Sequence, residues 1–537
     1  MPAPGSSKTC LSALLLLTIE CFALGLLASG CSNSSPSPGS SPSPSTPPFN
    51  TAEGEGTLVG NPTVTNYSTA SSASQAGLDS FYNQTICPSG LSAPGCATNQ
   101  ASLDTAEFGN FDLASDPIAN NPLGIKQVAG VKIDYTAINI DQSPVTVSGG
   151  VAIPQVAPAS IKGLILYYHG TTTQRTNVPS VFAPIAPSST YTDGTLLAAV
   201  WASQGYVVVM PDYIGLGDDT THPHPYVVYP AQNAQSGLAM VNAARTLLAG
   251  SYQITGQLPL FITGYSEGGA YALEAGHLMQ NNTGYASQLN VRLTKVIPLS
   301  GFFDLSGTGL SYLFYNITNS DNPWHSLDPQ TSELSKPFLT AYLTLSFSHY
   351  AKVPAIGILN NVFYVSGCYS QYPGAVATGS DLYDVYFTDS QYEGYDVAVL
   401  ATADCQAVAT GWASGPTNYS NAITPLLTET YATALMQKDT SNPLYEAVVN
   451  ADTYLFTPRF PVTLLSLQQD SVVTRTNTDV AYAYFQQQNS GVSYNEELVP
   501  NSDFAIAGTL GDGQVDHTTE VPFLSVLILN QCNTAIQ

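Results

Sequence analysis

Leu258-Pro-Leu-Phe-Ile-Thr-Gly-Tyr-Ser-Glu-Gly-Gly-Ala270 is the stretch that decides how this chain folds. Leu258 to Thr263 is a short apolar run of strand length. From Ala270 to Gln280 the spacing becomes helical. Gly264-Tyr265-Ser266-Glu267-Gly268 lies between them, a G-x-S-x-G at a strand-to-helix turn. The steric logic is specific. Such a turn puts Ser266 in a strained backbone conformation, and Gly264 and Gly268 remove side chains that would clash there. The hydroxyl of Ser266 is then held out at the carboxyl end of the strand, and the helix N-terminus favours negative charge forming beside it.

Outward from this turn the texture alternates. Val131 to Ile140 and Val145 to Ile153 read as an antiparallel pair. Strands are expected at Gly163–Tyr168, Tyr206–Met210, Leu258–Thr263 and Val296–Leu299. Helices are expected at Thr195–Gln204, Ala231–Leu248 and Ala270–Gln280. Strands alternating with helices predict an α/β fold, a mostly parallel sheet covered on both faces. The pattern stops at Phe302 and resumes at Phe460–Leu467. It continues with a helix near Thr478–Gln488, a strand at Glu496–Val499 and a helix after Glu520. The Tyr-, Ser- and Thr-rich segment between reads as a cap or lid insertion, residues 302–457. The core is then 131–301 and 458–537. Residues 56–130 form an extension with no clear period, and the chain shows no internal repeat.

A serine needs a base to take its proton, and the base needs an acid to orient it. For a nucleophile on such a turn the chain order is Ser, then Asp or Glu, then His. Beyond Ser266 and its helix stand His325, His349 and His517. The first two fall in the insertion; His517, before the last helix, is the candidate base. Asp470, at the end of the Val462–Leu467 strand, is the candidate acid. Asp503, Asp512 and Asp516 compete with it, and Asp516 is disfavoured because it adjoins His517. The oxyanion formed in acyl transfer needs two donors. The backbone N–H of Glu267 is one candidate. The Thr171 N–H, in the loop Tyr168-His-Gly-Thr-Thr172, is the other. His169 reads as a loop-holding residue, and Asp212 as a carboxylate capping the loop after its strand. His222 and His224 have no assigned catalytic part.

Composition excludes some functions. Only 9% of residues are charged and the formal net charge is −25, so a polyanionic nucleic acid is repelled. No Cys or His spacing suits zinc, and neither metal nor cofactor is called for. Residues 1–30 read as a signal peptide of lipoprotein type, with Lys8 ahead of the apolar run Leu11–Leu27 and Ala28-Ser-Gly30 before Cys31, the candidate lipidation site. Residues 31–55 read as a Ser/Pro-rich linker, so attachment to the cell envelope through a lipid anchor is expected, otherwise secretion. Cys87 with Cys96, and Cys368 with Cys405, are candidate disulfides, leaving Cys532 over.

Tyr168-His-Gly-Thr171, Met210-Pro-Asp-Tyr-Ile-Gly-Leu-Gly217, His224-Pro-Tyr226, Gly264-Tyr-Ser-Glu-Gly-Gly269, Gln469-Asp-Ser-Val-Val473 and His517, in this order, resemble the α/β-hydrolase superfamily. More narrowly they resemble secretory lipases and exported bacterial esterases, from about residue 130 onward. The resemblance implies hydrolysis of a small-molecule or lipid ester with Ser266, Asp470 and His517 as the triad. A serine peptidase or acyltransferase on the same fold, and a non-catalytic surface binding protein, are the alternatives.

Overall fold

The computed structural model describes residues 49–68, 127–182, 192–314, 329–358, 427–470, 472–488, 490–499, 517 and 520–536. The leader, Cys31, both candidate disulfides, His325 and the rival acids Asp503, Asp512 and Asp516 lie outside them. The described residues belong to one compact unit, Thr46–Gln537.

Its centre is a nine-stranded sheet in the order β1-β2-β3-β5-β4-β6-β7-β8-β9. The strands are β1 Leu58–Ser68, β2 Gln127–Ile138, β3 Pro144–Pro154, β4 Gly163–Tyr168, β5 Tyr206–Pro211, β6 Leu258–Tyr265, β7 Val291–Leu299, β8 Val462–Leu467 and β9 Tyr494–Val499. The pairs β1/β2, β2/β3 and β3/β5 are antiparallel, and every pair from β5 to β9 is parallel. The expected mostly parallel sheet is therefore present, with an antiparallel flank.

One boundary differs from expectation. Residues 58–68 and 127–130, placed by the sequence in an extension apart from the core, are sheet strands, with Leu58 opposite Tyr135 and Ser68 opposite Gln127. A shift of register between Val59 and Thr63 accommodates Pro62, which cannot donate to a ladder.

Strand periodicity explains the layers. On β4 the side chains of Leu164 and Leu166 pack to one face, with Leu238 and Val241 of α2 (Pro230–Ser251) and Ala272 of α3 (Glu267–Asn281). Ile165 and Tyr167 face the other way, with Leu197 of α1 (Asp193–Val200) and Leu527 of the C-terminal helix Val521–Ala535. The alternation of side chains along an extended strand thus builds two cores. All six residues of β4, β5 and β8 are buried, as parallel strands covered on both faces require.

After β7 the chain leaves the sheet. Within the insertion the helix Pro329–Ala351 docks near the carboxyl ends of the strands. The Tyr226 N–H donates to Ser346 Oγ at 2.9 Å, and the Tyr342 hydroxyl donates to the Thr172 carbonyl at 3.2 Å. The rings of Tyr226 and Tyr342 stack with centroids 4.1 Å apart.

Candidate active site

The end of β6 shows why the motif bends as it does. Ser266 has φ 56° and ψ −118°, a region that a residue with a side chain occupies only under constraint. The turn is so tight that a Cβ on Gly264 would come within 2.1 Å of the Gly268 carbonyl oxygen, and a Cβ on Gly268 within 2.1 Å of the Tyr168 oxygen. Those atoms are backbone and cannot swing away. The Ser266 N–H donates to the Leu299 carbonyl at 2.9 Å, fixing the turn against β7.

Sheet order brings the other groups to this corner. The hydroxyl of Ser266 donates to Nε2 of His517 at 2.8 Å. On the other edge of the imidazole, Nδ1–H donates to Asp470 Oδ2, also at 2.8 Å. Asp470 follows β8 and is fully buried. Its Oδ1 accepts the N–H groups of Val472 and Val473 at 2.9 and 2.8 Å, which hold the carboxylate in place. Ser266 and His517 are each 4% exposed, so bulk water reaches this chain of bonds poorly. The Tyr265 ring lies 5.0 Å from the imidazole, and its hydroxyl donates to the His517 carbonyl. Three residues separated by up to 251 positions are thereby joined in one hydrogen-bonded line.

Glu267 is the first residue of α3, so its N–H lies ahead of the helix's own bonding ladder, where a helix offers donors to an anion. Thr171 follows β4, which pairs with β6 up to Tyr168 opposite Gly264, so its loop emerges beside Ser266. That loop is anchored. Tyr213 donates its hydroxyl to the His169 carbonyl at 2.7 Å and stacks on the His169 ring at 4.1 Å. The Thr171 and Tyr226 hydroxyls meet at 3.1 Å. Gly170 touches the Tyr265 ring, where a Cβ would come within 2.5 Å. A small polar cavity of about 180 Å³ opens here, lined by His169, Thr171, Thr172, Asn177, Asp193 and Tyr265 among others.

The remaining sequence candidates have structural places. Asp212 is buried and accepts the Ser180 N–H at 2.9 Å and the Ser148 hydroxyl at 2.7 Å, as a loop-capping carboxylate does. Desolvation raises its pKa above the ordinary carboxylate range. His222 is bonded to Asp219, and His349 lies on the insertion helix.

Two features escaped the sequence. The Glu267 side chain turns inward, where its Oε1 meets His224 Nε2 at 2.5 Å and accepts the Tyr271 hydroxyl at 2.6 Å. Glu520 places Oε1 3.5 Å from His517 Nδ1. The donor atoms of Asp470, His517 and Glu520 lie within 4.8 Å of one another, the one grouping with metal-site spacing among the described residues. The Nδ1–Oδ2 separation has hydrogen-bond length and uses the Nδ1 proton instead.

Residues 181–296, which contain the Ser266 turn, match the secretory lipase family. The chain has the α/β-hydrolase fold and resembles the secretory lipases. No curated protein matches this chain. Among solved structures it is similar to the rice cell wall degrading esterase LipA from Xanthomonas oryzae, with TM-score 0.57 and 18% identity over 89% of this chain and 98% of that one. A candidate hydrolase from Legionella pneumophila is similar with TM-score 0.57 and 20% identity over 89% and 98% of the two chains. A ligand-bound form of the Xanthomonas esterase aligns with TM-score 0.54 and 18% identity, covering 90% and 97%. At these identities the likeness concerns the fold. Among the described residues, no helix is long and apolar enough to cross a membrane.

Proposed function

We propose that the protein is an exported serine hydrolase that cleaves carboxylic esters through an acyl-enzyme on Ser266. The observation that carries this reading is the continuous hydrogen-bonded line from Ser266 Oγ through His517 to Asp470, at a strained strand-to-helix turn. The match to the secretory lipase family supports an ester as substrate and export as the destination.

The chemistry follows from the geometry. His517 Nε2 accepts the Ser266 proton as Oγ attacks the ester carbonyl. Asp470 keeps the Nδ1 proton in place, which leaves Nε2 free to act as the base, and it stabilises the imidazolium that forms. The N–H groups of Glu267 and Thr171 are the donors assigned to the oxyanion. His517 then gives its proton to the leaving alcohol. Water repeats the sequence on the acyl-enzyme and releases the acid. No step requires a metal or cofactor.

The insertion, residues 302–457, is read as the cap that selects the ester. The support is the docking of the helix Pro329–Ala351 on Thr172 and Tyr226, beside the Thr171 loop. Cys31 is read as the lipidated residue of an envelope-anchored form. Globomycin should block its processing.

The purified protein should hydrolyse a chain-length series of p-nitrophenyl esters, tributyrin and longer triglycerides. Ser266→Ala and His517→Ala should each lose roughly 10⁴-fold or more in kcat/KM. Faster turnover of aminoacyl amides than of every ester in the panel would replace the esterase reading with a peptidase.

A further inference from the structure

Glu520 stands at the N-cap of the helix Val521–Ala535, a position where a carboxylate ordinarily bonds the helix N–H groups. It makes no side-chain cap bond. Its carboxylate turns the other way. Oε1 lies 3.5 Å from His517 Nδ1, and Oε2 accepts the Ser300 hydroxyl at 3.1 Å. Glu520 is fully buried, as is Asp470 on the same nitrogen. The candidate base is therefore faced by two carboxylates, where orientation of the ring needs one.

We propose that Glu520 is a second positioning acid for His517. It stabilises the imidazolium formed when Ser266 gives up its proton, and it offers a reserve acceptor for the Nδ1 proton. This rests on the reading of Ser266, His517 and Asp470 as the catalytic set. No proton passes to either carboxylate. The Ser266 proton moves to Nε2 and later to the leaving alcohol, while the Nδ1 proton stays on the ring.

Among the described residues, the charged and titratable groups around Glu520 include His517, Asp470 across the imidazole, and Tyr265 against the ring. The helix Val521–Ala535 contributes no charged side chain, and Ser300 contributes a hydroxyl. Among the described residues, Glu520 is a carboxylate beside His517 whose removal leaves the Ser266–His517–Asp470 line intact. An opposite charge within ~4–6 Å favours the protonated imidazole by about one to three pH units. Taking that charge away lets the base act at lower pH while weakening support for the imidazolium at the transition state.

The test is the pH profile of kcat/KM on p-nitrophenyl butyrate. In Glu520→Gln the acid limb should move down by about one pH unit, with a several-fold lower plateau. Glu520→Asp, which keeps the charge, should hold the limb near its native position. In the background Asp470→Ala, Glu520 can reach the Nδ1 proton. Asp470→Ala should then be at least about tenfold more active than Asp470→Ala/Glu520→Gln. An unmoved acid limb in Glu520→Gln, or equal activity of that single and double variant, would overturn the proposal. Should Glu520→Gln fail to fold, Glu520→Met, which fills a similar volume without a charge, takes its place in both comparisons. Ser266→Ala separates the two levels of the argument. Full activity there would remove the triad reading itself, whereas an inactive Ser266→Ala with an unmoved limb removes only the role of Glu520.

Discussion

Cutting the buried link between Glu267 and His224 should destabilise the protein more than any surface change. Both side chains are 1% exposed, and a 2.5 Å separation joins them. His224 Nδ1 donates to the Ile214 carbonyl at 3.1 Å, so a single proton lies between Nε2 and Oε1. Tyr271 adds a second short bond to the same oxygen. Hydrogen bonds to a charged group contribute about 1.5–3 kcal/mol each, and breaking one side of a buried pair costs about 3–5 kcal/mol because its partner is left without compensation. Glu267→Ala should therefore lose about 3–5 kcal/mol, and His224→Ala a similar amount. The double variant should lose at least about 2 kcal/mol less than the sum, since no orphaned group remains. Urea denaturation followed by tryptophan fluorescence gives all four corners of the cycle. Strict additivity, or single losses under about 1 kcal/mol, would refute the claim that the two groups form a coupled buried pair that holds the turn from behind.

Gly268→Ala should cost about 1–3 kcal/mol or more by overpacking against the Tyr168 carbonyl and displace Ser266 enough to lower kcat about 10²-fold, readable in the same denaturation and ester assays. Gly170→Ala meets the Tyr265 ring rather than backbone, so its stability loss should be smaller while kcat still falls, because Tyr265 holds the His517 carbonyl. Burial lifts the Asp452 carboxyl to about 6 from an ordinary 3.8, so the folded state binds that proton more tightly than the unfolded chain. Its contribution to stability is whole below pH 3.8 and is lost as pH rises through about 6. Asp452→Asn should accordingly gain up to about 3 kcal/mol at pH 8 and nothing at pH 4, measured as urea midpoints.

Much of this structure was legible in the residues. The apolar runs of β4, β5 and β8 admit one reading, buried parallel strands, because no polar face interrupts them. Ser266 was legible because strand, glycines and helix agree locally. Asp470 and His517 followed from chain order, since the sheet orders its carboxyl ends. β1 was not legible. Gly60, Asn61 and Pro62 are poor strand formers in a stretch that showed no clear period, and only its position at the sheet edge and the shift of register after Val59 let them lie in a strand. Glu267 was read only for its backbone. Its side-chain partner lies 43 residues earlier in a Pro-rich turn, and periodicity carries no signal for such a pair. Glu520, three residues after His517, served in the sequence only to mark where the last helix starts, and only the direction of its side chain brings it to the imidazole.

The central claim is that Ser266 is a nucleophile activated by His517. Its most direct measurement is labelling with a fluorophosphonate, followed by mass spectrometry of the modified peptide. A single adduct on Ser266, lost in Ser266→Ala and slowed at least about 10³-fold in His517→Ala, is the expected result. An adduct elsewhere, or undiminished labelling of Ser266→Ala, would contradict it.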